Sequence, residues 1–178
     1  MNDCTGETPV GRLHSLGVLG GNFLAVHANY LGPADAQRLA LSRSSVAHCP
    51  RSHAYFRHRP FPWPELASAG VNICLGTDSL VSTRKEQTSR LELDMFAEMR
   101  AAATAFPGLP PETIMRWATV NGARALGAAG QLGELCAGAF ADLVALPWAG
   151  KTAQVFEAMV YAPQPVCAVM IDGRWAIY

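Results

Sequence analysis

Residues 71–79 read VNICLGTDS. Val71 to Leu75 is dominated by β-branched and apolar residues and is bracketed by Gly70 and Gly76, the pattern of a short buried strand. Asp78 follows directly. A carboxylate just past the C-terminal end of such a strand stands where parallel α/β folds gather their chemistry, because the loops there converge on one crevice. An Asx-turn or a helix cap is the other common use of an aspartate in that place.

Two further runs upstream have the same build. Phe23 to Ala28 (FLAVHA) carries His27 near its end, and Ser45 to Cys49 (SVAHC) carries His48 and is stopped by Pro50. A lone histidine in an apolar run is more often a satisfied core residue than a catalyst, and His48 is equally readable as a strand-end hydrogen-bonding group. Helical sequence separates the runs. Thr8-Pro9 opens a short helix ending at Gly17, and Gly32-Pro33 opens a second running to Ser42. Pro64 to Ala69 gives a further turn or two. Between Pro50 and Trp63 the segment RSHAYFRHRPFP is too long for a mere connector and predicts a functional loop. Past Asp78, Ser82 to Arg90 predicts a surface loop, and Leu91 to Ala105 a helix whose apolar Leu91, Met95, Ala102 and Phe106, with Leu93, Phe96 and Met99 beside them, recur at helical spacing. Pro107 to Pro111 ends it, and two short helices follow, Glu112 to Ala118 and Val120 to Leu126. Strand and helix in alternation predict parallel βαβ units, with His27, His48 and Asp78 along one rim.

From Gly127 the texture changes to turn residues and short β runs: a strand over Asp142 to Leu146, a helix near Gln154 to Met159, and a hairpin at Asp172-Gly173. The expected division is therefore 1–127, a set of parallel βα units with catalytic strand ends, and 128–178, a small β domain. The chain of 178 residues is 50% hydrophobic and 16% charged, which predicts a globular fold with few spare charges. Fourteen basic residues balance fourteen acidic ones, so there is no field to attract nucleic acid or an anionic membrane. PETIMRWATVNGARALG resembles a helix-turn-helix, but only Arg116 and Arg124 would face a phosphate backbone. Five scattered cysteines, none in a C-x-x-C pair, predict neither a disulfide framework nor a zinc ribbon. With no signal-like N-terminus and no spanning apolar run, the expectation is a cytoplasmic protein.

Four segments occur in an order that resembles the metal-dependent amidohydrolase superfamily: VHANYL (26–31), VAHCPRSH (46–53), LGTDS (75–79) with LDMFAEMR (93–100), and VNGARALG followed by GELCAGAFADLV. They look most like its deaminase and chlorohydrolase branch. The resemblance implies the C-terminal portion of a (β/α)8 TIM-type barrel, its last three βα units, plus part of a small β-sandwich. It also implies a chain that begins in mid-domain, because the family's H-x-H motif and its fifth-strand His and Glu have no counterpart here.

The resemblance further implies a reaction: hydrolytic deamination of a heterocyclic amine, a small-molecule substrate carrying an anionic group or none. Asp78 matches the residue that ligates a divalent metal, zinc or iron, and moves the water's proton; His27 matches the residue that polarises the substrate. Substrate contacts fall to His27, His48, Arg51, Ser52 and Ser79. Where the family has Asn, this sequence has His53. A self-contained metal cluster of His48, Cys49, His53 and His58 has zinc-like spacing, but Arg51, Arg57 and Arg59 among the ligands disfavour a dication and suit an anionic substituent. A non-catalytic fragment lacking most metal ligands is the alternative, and homo-oligomerisation stays open.

Overall fold

A computed structural model describes residues 6–83, 92–161 and 165–177. Its centre is a parallel sheet of β1 (Leu24–Val26), β2 (Ser45–His48) and β3 (Asn72–Leu75), in that order. Leu24 stands opposite Ser45, and Ser45 opposite Asn72, so the C-terminal ends of all three strands emerge at one edge. Only β2 is buried along its whole length, as its central place and unbroken SVAH run require. The first strand stops at Val26, two residues short of the expected end, because His27 and Ala28 turn into left-handed backbone (φ 72 and 45).

Helix α1 (Pro9–Ser15) precedes β1, while α2 (Asp35–Leu41) and α4 (Trp63–Ser68) lie in the crossovers that follow β1 and β2. Thr8 caps α1, its hydroxyl accepting the Gly11 N–H at 2.9 Å. The second helix starts at Asp35 instead of Gly32, since the buried Asp35 carboxylate accepts the Gly32 N–H (2.8 Å) and thereby fixes the entering turn. The segment 51–62 is not all loop: α3 (Pro50–Phe56) occupies its first half, with Pro50 in the first turn, where a missing N–H is harmless, and Arg57 at φ 55 closing it.

After β3 a 3-10 turn (Leu80–Ser82) buries Ser82 against Asp78, so Ser82 does not belong to a surface loop; the remainder of that expected loop, 84–90, and Leu91 lie outside the described residues. Helix α5 (Met95–Ala105) begins later than the apolar stripe suggested, because the Asp94 side chain accepts the Phe96 N–H (2.9 Å) and sets the N-cap there. Leu93 therefore precedes the helix and is exposed. α6 (Pro111–Ala118) and α7 (Val120–Ala125) follow, split at Thr119 as expected.

Downstream, β4 (Leu143–Ala145), β5 (Ala168–Ile171) and β6 (Arg174–Ile177) make an antiparallel sheet in sequence order. Asp172 and Gly173 link the last two at φ 48 and 73, the two positive values a type I′ turn requires. α8 (Val155–Tyr161) returns to pack on α5 and α6, and its Val160 joins Leu39, Val46, Leu66, Ile73 and Ile114 in one buried core. Among the described residues no helix is long and apolar enough to cross a membrane.

Candidate active site

The rim where the parallel strands end holds the three expected residues. His27 directly follows β1, His48 is the last residue of β2, and Asp78 lies three residues beyond β3. Backbone hydrogen bonds carry the ladder to that edge: the His27 N–H donates to the Ala47 carbonyl (2.8 Å) and the Gly76 N–H to that of His48 (2.9 Å). His27 and Asp78 both sit at positive φ, 72 and 53. Non-glycine residues held there cost about 1–3 kcal/mol each and cluster where side chains must be aimed. These two are aimed at one another, with His27 Nε2 4.0 Å from Asp78 Oδ2 and side chains 39% and 28% accessible.

Two hydroxyls fix the Asp78 carboxylate. Ser52 Oγ donates to Oδ2 at 2.5 Å and Ser82 Oγ to the same oxygen at 3.0 Å. The Ser52 bond is the main reason its pKa lies below the ordinary carboxylate value, with smaller help from Ser82 and His27 against the opposing effect of desolvation. Asp78 is thus an anion at neutral pH, accessible to solvent along the face that His27 shares.

His48 is a different kind of residue. It is buried, stacks on Phe61 at 3.9 Å between ring centroids, and leaves Nδ1 without a hydrogen-bond partner among the described residues. Burial, then the neighbouring His53 and His27, push its pKa down to about 3, so it presents a neutral imidazole at physiological pH. Burial and the nearby Asp78 and Glu98 charges push the Cys49 thiol up to about 12, which leaves no thiolate for nucleophilic work.

The basic segment divides between two places. Arg51 turns inward, its Nε 3.5 Å from Glu98 Oε1 and an Nη donating to the Glu92 carbonyl at 2.9 Å, so its guanidinium is already engaged. Ser52 is buried against Asp78, and Ser79 caps the 3-10 turn, its Oγ accepting the Val81 N–H at 3.2 Å. On the outer wall, Tyr30 Oη lies 3.0 Å from His58 Nδ1, Arg59 sits 5.8 Å over the Tyr30 ring, and His53 Nδ1 lies 3.0 Å from Asn29 Oδ1. Sequence reading missed Ser82, Asn29, Tyr30 and Glu98. Glu98 alone carried a signal, an acid on the apolar stripe beside Met95, Met99 and Ala102.

As a metal centre the arrangement is incomplete. Asp78 offers one anionic oxygen ligand with a histidine beside it, but among the described residues no group of three or more His, Cys, Asp or Glu could hold an ion. A catalytic zinc usually has three protein ligands.

A family model described as the amidohydrolase family matches residues 2–176. The chain is 39% identical over 140 residues to a 5-methylthioadenosine/S-adenosylhomocysteine deaminase of Syntrophobacter fumaroxidans, covering 78% of this chain and 32% of that protein. A protein of the same name from Desulfitobacterium hafniense is 35% identical over 181 residues, covering 95% and 40%. Among solved structures, an adenosine deaminase from Xanthomonas campestris with bound zinc superposes with a TM-score of 0.86 at 32% identity, covering 98% of this chain and 41% of that one. The chain therefore spans about two fifths or less of the length of these relatives.

Proposed function

The chain belongs to the amidohydrolase family, and on that premise we propose that it carries the proton-transferring rim of a hydrolase that removes the amino group from a heterocyclic amine. In this reading residues 1–127 supply the last three βα units of a (β/α)8 barrel, and residues 128–178 supply part of its small β-sandwich. The observation that carries it is the pairing of an ionised, doubly hydrogen-bonded Asp78 with His27 Nε2 at 4.0 Å, both at strand ends.

Hydrolytic deamination adds water to the ring carbon that bears the amine and then expels ammonia. Asp78 is the base that accepts the water's proton and returns it to the leaving nitrogen, a role that suits a carboxylate already ionised at neutral pH. His27 faces the same space and donates to, or polarises, the ring atom that gains electron density. His48, neutral and buried against Phe61, packs behind the rim. A divalent cation held in part by Asp78, when bound, supplies the acidity that makes water nucleophilic at neutral pH. The other ligands are not among the described residues, so no step is assigned to them.

An anionic substituent would be met by Arg59, which no described ion pair engages, in place of Arg51, which is held by Glu98. The other reading, a chain without turnover of its own, is favoured by the lack of three converging ligands among the described residues. Ammonia release separates the two. The product of the whole reading frame that contains this sequence is assayed with 5′-substituted adenosines, neutral and anionic. Release from at least one is expected, with Arg59→Ala weakening anionic members roughly tenfold to a hundredfold, the worth of one charged hydrogen bond. No release from any member sinks the proposal.

A further inference from the structure

We propose that Glu98 is a positioning residue for Asp78: from α5 it caps the first turn of α3 and thereby holds Ser52 at hydrogen-bonding distance from the carboxylate. The inference rests on the reading of Asp78 as the proton-transferring base.

Helix α3 has no cap of its own. Cys49, at the N-cap position, makes no side-chain cap bond, and Pro50 has no N–H. The first N–H in need of an acceptor is that of Arg51, and it donates to Glu98 Oε2 at 3.0 Å, from a residue 47 positions away. Oε1 of the same carboxylate lies 3.5 Å from Arg51 Nε, while the far end of that guanidinium donates to the Glu92 carbonyl. Both ends of Arg51 are therefore gripped by α5 and the segment leading into it. The next residue is Ser52, and its Oγ stands 2.5 Å from Asp78 Oδ2. One peptide unit separates the capped amide from the hydroxyl that orients the base.

Glu98 is fully buried among Met99, Ala102 and the rest of the α5 core face, and Oε1 lacks a hydrogen-bond partner among the described residues. Replacing a buried ionic group with a well-packed apolar one is often neutral or stabilising. Stability alone gives no reason for a carboxyl here. The placement of Ser52 does. Burial lifts the Glu98 pKa to about 7, so neutral and ionised forms are both accessible, and in either one an oxygen is available to the Arg51 N–H.

The test reads the Ser52 hydroxyl in the 178-residue chain by proton NMR, as a downfield, slowly exchanging resonance that Ser52→Ala removes. In Glu98→Ala that resonance should move upfield or vanish. Glu98→Gln, whose amide oxygen still accepts the Arg51 N–H, should keep it. Where Glu98→Ala does not fold by circular dichroism, Glu98→Asp answers the same question, because it keeps the charge and withdraws the acceptor by one methylene; the same loss is expected. An unchanged resonance in folded Glu98→Ala or Glu98→Asp overturns the proposal, as does its loss in Glu98→Gln, or the absence from the unsubstituted chain of any resonance that Ser52→Ala removes. A Glu98 that served packing alone would lower the melting temperature and leave the hydroxyl signal in place. No turnover is measured, so failure here is distinct from failure of the deaminase reading.

Discussion

At Asp78 two hydroxyls, Ser52 first, hold the carboxyl below its ordinary pKa, while a left-handed backbone aims it along the rim. Removing the stronger of the two should be felt first as a pKa change. Ser52→Ala is expected to raise the Asp78 pKa, read by carbon NMR of the side-chain carboxyl, and an unshifted titration would show that the Ser52 bond is not its cause. His48 and Glu98 couple to pH in opposite senses. The folded state resists protonating His48, whose pKa falls from 6.5 to about 3, so stability is lost as pH drops below about 6.5. Glu98 rises from 4.5 to about 7, so the folded state holds its proton more tightly than the unfolded chain does, and stability is lost as pH climbs through that window. The two slopes oppose each other between pH 4.5 and 6.5. Glu98→Gln removes one of them, and its urea midpoint should then rise more steeply with pH than that of the unsubstituted chain; parallel slopes would contradict the Glu98 assignment.

Among the elements, the strands were legible because β-branched runs bounded by Gly and Pro leave little else to read, and the polar residues at their ends marked the rim. Helix α3 was not legible, since its cap comes from a residue 47 positions away and local sequence shows only Cys-Pro. The start of α5 was misplaced for a related reason: Leu91 and Leu93 extend the apolar spacing, but the Asp94 side chain bonds the Phe96 amide and sets the first turn beyond them. Asp94→Ala should therefore cost about 1 kcal/mol in a urea titration, and no change would place the helix start elsewhere. The GELCAGAFADLV motif is explained in part by Gly133, which has φ 80 and whose missing Cβ would stand 2.8 Å from the Thr119 carbonyl carbon at the junction of α6 and α7. Gly133→Ala combines a left-handed strain with an overpacked contact, and a loss of about 2 kcal/mol or more is expected. An unchanged midpoint would mean that the junction can open at little cost.

Across the molecule, α8 inserts Val160 beside α5 and α6, tying the segment after β4 to the core behind the parallel sheet. What the sequence could not reveal at this scale is which basic residues face the rim. Arg51 and Arg59 are eight positions apart, yet one turns in to Glu98 and the other lies over Tyr30. The ligand count has its own consequence: the 178-residue chain should lose zinc on dialysis, because among the described residues no three ligands converge. Stoichiometric zinc surviving dialysis would show a ligand set of another kind. The central claim is that Asp78 moves the proton in a hydrolytic deamination. Asn tolerates the left-handed backbone at this position and matches the carboxylate in shape, but it cannot take up the water's proton. The decisive measurement is ammonia release by the Asp78→Asn variant of the product of the whole reading frame, with its fold verified by circular dichroism. Loss of turnover in a folded variant is the predicted result, and near-normal turnover would contradict the account.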